Sequence, residues 1–158
     1  MTVSPEDKFG IKIESRGRSR TLEQNYALLA GAIYLAIGVI GFFVTGFSNF
    51  TERTTDAFLG IFYLNGFHNV VHIALGALWI TAALVLTPVG TEGVNFAIAG
   101  FYLLAAILGF LGYLSLVSVP AGNDADNYLH LITAVVTLVF GSGILSAMRS
   151  SRRTTVNA

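Results

Sequence analysis

Four long stretches without a single Asp, Glu, Lys or Arg constrain this chain more than any other feature. They run over roughly 26–47, 64–86, 94–117 and 127–148. A helix needs about 20 apolar residues to cross the hydrocarbon core of a bilayer, and each stretch reaches that length. A buried helix of a water-soluble protein keeps a polar face and rarely runs so far without a charge. The stretches are rich in Ala, Leu and Gly and lack the period-two alternation of strands, which argues against a sheet and against a transmembrane barrel. Composition agrees: hydrophobic residues make up 54% of the chain and charged residues 11%, against about 25% charged in a typical soluble domain. The expected fold is all-α, a polytopic membrane protein with a bundle of four transmembrane helices.

The charges that do occur are placed at the ends. Lys8, Lys12, Arg16, Arg18 and Arg20 precede the first apolar stretch, Arg149, Arg152 and Arg153 follow the last, and only Arg53 lies between. Three segments follow: a polar tail over 1–25, a transmembrane domain over 26–148 and a basic tail over 149–158. The positive-inside rule puts both tails in the cytoplasm, and the expected location is a bacterial cytoplasmic (inner) membrane. The loops Ser48–Tyr63 and Ser118–Asp126 then face outward, carrying Glu52, Asp56, Asp124 and Asp126 against Arg53. The first 25 residues alternate acids and bases without an apolar core, unlike a signal peptide, so the first helix is expected to stay as an anchor. Within that tail Phe9, Ile11 and Ile13 alternate like a short docking strand. The C-terminal arginines suit anionic headgroups, and Asn49-Phe50-Thr51 is a glycosylation sequon that carries no meaning in a bacterial chain. A net charge of zero gives no excess of cations for nucleic acid. The absence of cysteine excludes disulfides, thiolate metal sites and iron–sulfur clusters.

The two halves of the apolar region resemble each other. Tyr34-Leu35 followed by Gly41-Phe42 in the first stretch matches Tyr102-Leu103 followed by Gly109-Phe110 in the third at identical spacing. Asn69-x-x-His72 in the second matches Asn127-x-x-His130 in the fourth. The expectation is a bundle built from two helix-pair repeats, related by an axis along the membrane normal. Tyr34, Gly38 and Gly41 share one helix face, as do Tyr102, Ala106 and Gly109. Such stripes of small residues are expected to form packing seams, because lipid offers no hydrophobic push between helices and close backbone approach matters more.

All three histidines, His68, His72 and His130, fall near the expected outer ends of the second and fourth helices. Asn65, Asn69, Asn127, Thr45 and Tyr113 reach the same depth, with Asp124 and Asp126 beside them. The expectation is a polar pocket between helices, open to the outer surface. Read blandly, Asn127 is an N-cap, the Asn-x-x-His pairs merely open helices, and no cofactor is bound. Read as chemistry, His68 and His72 at i and i+4 plus His130 suit a zinc or copper ion. Alternatively His72 and His130 hold a haem b, with the nearby glycines making room for the ring. No Ser–His–Asp arrangement and no phosphate-cradling glycine loop is present. No acid falls at the membrane midplane, which argues against a proton-coupled transporter or pump and leaves passive transport open.

The stretch Asn65-Gly-Phe-His-Asn-Val-Val-His72-Ile-Ala-Leu-Gly76, with Asp126-Asn-Tyr-Leu-His130 at the last helix, resembles a family of small bacterial four-helix membrane proteins of unknown function with paired Asn/His motifs. The resemblance covers roughly Gln24 to Met148 and implies architecture, not activity. By shape alone the chain is also loosely similar to DoxX-type proteins, tied to redox-related membrane assemblies. The first functional expectation is a non-catalytic accessory or scaffolding subunit with an uncharged bundle interior, contacting lipid and other membrane subunits or itself. The second is a histidine-liganded metal- or haem-binding redox protein, and the third a small-solute or lipid transporter.

Overall fold

In the computed structural model, residues 19–48, 50–55 and 57–156 are described, without the side chains of 150 and 152–156. Lys8, Lys12, Arg16, Arg18, the Phe9–Ile13 alternation, Asn49, Asp56 and the Arg152 and Arg153 side chains lie outside that description. Helix α1 spans Leu22–Thr45, α2 Gly66–Val85, α3 Pro88–Phe110, α4 Ala125–Gly141 and α5 Ile144–Val156. Two short antiparallel strands, β1 (Ala57–Phe58) and β2 (Phe62–Tyr63), form a hairpin in the loop between α1 and α2. Four helical segments are long and apolar enough to cross a membrane, the last running Ala125–Arg149 through the α4–α5 join.

The helix ends follow local chemistry rather than the limits of the charge-free stretches. The Thr21 N–H donates to Gln24 Oε1, so α1 starts before Tyr26 and takes Glu23 with it. Thr87 Oγ1 accepts from Gly90 N and Pro88 occupies the first turn, so α3 starts before Val94 and includes Glu92. It ends at Phe110 rather than Val117, because Gly112 turns the chain at φ 84°. Asn127 is not the cap of α4: that role belongs to Asp124, whose carboxylate accepts from Asp126 N at 3.0 Å. The fourth stretch is not one continuous helix, because Gly143 at φ 75° separates α4 from α5.

α1 and α2 run antiparallel, as do α3 and α4. Backbone contacts pair Gly31 with Gly76 and Gly38 with Asn69 between α1 and α2, and Gly141 with Phe96 between α4 and α3. A side chain at Gly38 would meet the Asn69 carbonyl oxygen at 2.6 Å, and one at Gly76 would meet the Gly31 carbonyl oxygen at 2.8 Å. Glycine is therefore what allows α1 and α2 to touch backbone to backbone.

The bundle is turned inside out relative to a soluble protein. Leu29, Ile33, Phe43, Phe101, Leu104, Ile107 and Val135 are exposed. Asn65, Asn69, Asn95, Asn127 and Thr137 are completely buried, around a core of Tyr34, Trp79, Tyr102, Ile98 and several alanines. Nor is the interior uncharged: Glu23, Asp126 and Glu92 are 1%, 2% and 8% exposed. Glu23 and Asp126 lie in the first turns of α1 and α4 and Glu92 in the second turn of α3, all just outside the stretches that sequence marks as charge-free.

Gly38→Ala is expected to lower stability by about 1–3 kcal/mol, the usual cost of forcing atoms into a packed seam. Gly100, whose Cβ position is open, is expected to tolerate alanine with a gain of up to about 1 kcal/mol. Thermal unfolding of both variants in detergent checks the pair.

Candidate metal centre

The start of α1 and the end of α4 lie at one end of the bundle, here the proximal end, and the α1–α2 and α3–α4 connections at the other, the distal end. His68 and His72 stand in the first two turns of α2, and His130 stands in the second turn of α4. Asn65 starts this arrangement by accepting from His68 N at 2.9 Å, which caps α2 and fixes the turn that carries both histidines.

The three imidazoles converge between α2 and α4. Each offers a ring nitrogen within 4.8 Å of the others'. The His68 ring lies 4.4 Å from that of His72 and 6.0 Å from that of His130, centre to centre. The Nδ1 atoms of all three are buried without a hydrogen-bond partner. Orphaned buried nitrogens are uncommon in a folded core, because each forfeits its solvation without compensation. Tyr34 stands edge-on to His72 at 5.2 Å, and Tyr102 packs on His130 at 5.5 Å. Asp126, one helical turn from His130, is buried and accepts from Tyr63 N at 3.2 Å.

The cluster is closed rather than open to the surface, with His68, His72 and His130 only 2%, 5% and 5% exposed. The distal loops are laced together over it. Thr54 N donates to Ser118 Oγ, Asn65 Nδ2 donates to the Leu116 and Glu52 carbonyls, and Tyr63 N is held by Asp126. A run of loop backbone so close to the core needs these side-chain partners to satisfy its polar groups.

The other residues expected in one pocket separate into different roles. Thr45 and Asn65 line a distal cleft with Ser48, Glu52, Arg53 and Gly66. Asn69 and Asn127 are seam residues. Asn69 Nδ2 donates to Thr45 Oγ1, and Asn127 Nδ2 donates to the Pro120 and Gly122 carbonyls. Their Oδ1 atoms occupy the places that side chains at Gly41 and Gly109 would take. Glycine Cα–H groups are weak donors to such oxygens. Asp124 is the α4 cap. Tyr113 does not join the pocket: it lies past the end of α3 and is 72% exposed. The glycine space expected to admit a porphyrin is therefore filled by two asparagine amides, and tyrosine rings pack against His72 and His130.

A second polar cluster, which the charge-free stretches hid, lies at the proximal end. Arg149 Nη2 donates to Glu23 Oε1 at 2.6 Å. Asn95 Nδ2 reaches the Phe140 and Glu23 carbonyls, Asn95 Oδ1 accepts from Trp79 Nε1 at 3.0 Å, and Gln24 Nε2 donates to the Leu86 carbonyl. Glu23 Oε2 and Glu92 Oε1 are buried without partners. The readable signal was an acid flanking each of the first and third apolar stretches. Removing one partner of a buried ion pair strands the other charge. Arg149→Met is thus expected to lower stability by about 1–3 kcal/mol, Arg149 itself being partly exposed. Glu23→Gln added to it should restore part of the loss, as unfolding in detergent would show.

No curated protein and no solved structure matches the chain significantly. A protein-family comparison matches residues 24–143, from the first turn of α1 to just past the end of α4. The chain belongs to the family described as Domain of unknown function (DUF4383).

Proposed function

We infer that this is a membrane protein that binds a transition-metal ion, of the zinc or copper class, through His68, His72 and His130. The single observation that carries this reading is the convergence of three buried imidazoles, with ring nitrogens within 4.8 Å of one another and their Nδ1 atoms unpartnered. Neutral imidazole suits zinc and copper, and three imidazoles leave a coordination position open. Zn–N bonds of about 2.0–2.1 Å set nitrogens roughly 3.4 Å apart on a tetrahedral ion, so small side-chain rotations close the site. The tyrosines and the distal loops exclude water, and Asp126 supplies a carboxylate one turn from His130 to balance the charge.

This reading is preferred to a purely structural accessory subunit. Packing alone gives no reason to gather three imidazoles with their Nδ1 atoms buried and unpartnered. It is preferred to a haem protein because Asn69 and Asn127 occupy the space at Gly41 and Gly109. The equivalent pairs Gly41–Asn69 and Gly109–Asn127, and Tyr34–His72 and Tyr102–His130, support an origin in two helix-pair repeats. The basic residues at both ends favour cytoplasmic termini, which turns the histidine end outward.

Elemental analysis of the detergent-purified protein, loaded with zinc or with copper and then dialysed, is expected to show one equivalent of one of them. His72→Ala and His130→Ala should each lower retention by at least about tenfold, the loss expected for one ligand of a small site. Helical circular dichroism equal to wild type would show that the variants fold. Wild-type protein that retains neither metal, or variants that retain it fully, would overturn the reading.

A further inference from the structure

Between the histidine cluster and the proximal carboxylates, two hydroxyl pairs bridge α1 and α4 through the middle of the bundle. Each helix supplies two of the hydroxyls. At the proximal end Glu23 is held by Arg149. One turn along α1 stands Tyr26, whose hydroxyl is hydrogen-bonded to Thr137 Oγ1 on α4. One turn further along α4 stands Thr133, whose Oγ1 is 2.7 Å from the Tyr34 hydroxyl on α1. Tyr34 packs against His72 at 5.2 Å and against Tyr102 at 5.4 Å, and Tyr102 packs against His130. The Tyr102 hydroxyl is buried beside that of Tyr34.

Packing does not call for this arrangement. Phenylalanine and valine would fill the same volumes without burying hydroxyls, and the exposed positions within 29–44 of α1 and 132–139 of α4 are apolar. Ionisable and hydrogen-bonding groups inside a membrane bundle commonly mark an ion or proton path. Here ionisable groups with unpartnered atoms stand at both ends: Glu23 Oε2 and Glu92 Oε1 proximally, and the three histidine Nδ1 atoms distally. The groups between carry no charge and cannot hold an ion, but each hydroxyl can accept and donate.

We propose that the Glu23–Tyr26–Thr137–Thr133–Tyr34 column conducts protons passively between the proximal carboxylates and the histidine cluster. A proton entering at one end bonds to a hydroxyl lone pair while that hydroxyl releases its own proton to the next group. No group on the path changes its composition, and the net event is one proton moved between the proximal carboxylates and the histidine cluster. Direct hydrogen bonds make two of the links; the remaining steps, from Glu23 to Tyr26, from Thr137 to Thr133 (about 6 Å along α4) and from Tyr34 to the histidines, are crossed through bridging water. No acid at the midplane is needed, because the driving force is a pH difference or a membrane potential. The proposal does not rest on metal binding.

The test uses the full chain, stripped of metal with a chelator and reconstituted in vesicles that enclose a pH-sensitive dye. A potassium diffusion potential then drives protons inward. Wild-type vesicles are expected to acidify faster than protein-free vesicles. Tyr34→Phe and Thr133→Val keep the shapes of the buried side chains, and each should slow acidification by at least about tenfold, since each removes a hydrogen-bonded link. Thr81→Val is the control: Thr81 is exposed on α2 and bonds only within its own helix, to the Ala77 carbonyl. It should leave the rate unchanged. Wild-type vesicles no faster than protein-free ones, or wild-type rates in either column variant, would overturn the proposal.

Discussion

Lipid offers no hydrogen bonds, and the rest of this structure depends on that constraint. A polar side chain in a transmembrane helix must find its partner inside the bundle or lie at an end. Asn65, Asn69, Asn95, Asn127, Thr137, Tyr34 and Tyr102 therefore point inward, and large aliphatic and aromatic side chains cover the outside. Helix association is left to close contact. The backbone contacts at Gly31, Gly38, Gly76 and Gly141 bring the helices near enough for those internal bonds to form.

The internal bonds are not spread evenly. At the distal end, loop-to-loop hydrogen bonds from Thr54, Asn65 and Tyr63 seal three imidazoles away from water. At the proximal end, Glu23, Arg149 and Asn95 tie α1, α3, α4 and α5 together. Between them the core narrows to Tyr34, Trp79 and Tyr102 with two threonines of α4. Stability and chemistry draw on the same groups. A hydroxyl pair that fastens α1 to α4 is also a step that a proton can use, and a histidine aimed at two others is costly to bury unless something binds it.

Much of the fold was legible in the chain, because a spanning helix announces itself by length and lack of charge. The boundaries were less so. Thr21, Thr87 and Asp124 start helices through local capping, and Gly112 and Gly143 end them through backbone conformation. A scan for uninterrupted apolar residues passes over such signals. That scan also concealed Glu23, Glu92 and Arg149, because a charge at the edge of an apolar run reads as a boundary. The histidine trio was visible as a shared depth. The fate of its neighbours was not: Tyr113 left the group when α3 ended early, and Asn69 and Asn127 turned aside into the seams opposite Gly41 and Gly109.

The amino-acid sequence by itself determined the four apolar helices, their antiparallel order and the level at which each histidine stands. Those properties follow from hydropathy and from counting residues along a helix, and both act within one segment. Tertiary structure alone decided that the three imidazoles meet in a closed site, that Glu23 pairs with Arg149, and that Tyr26 and Tyr34 bond to Thr137 and Thr133. Rotation of each helix about its axis brings these groups together. That rotation is set by glycine contacts between helices far apart in the chain, which no single segment encodes.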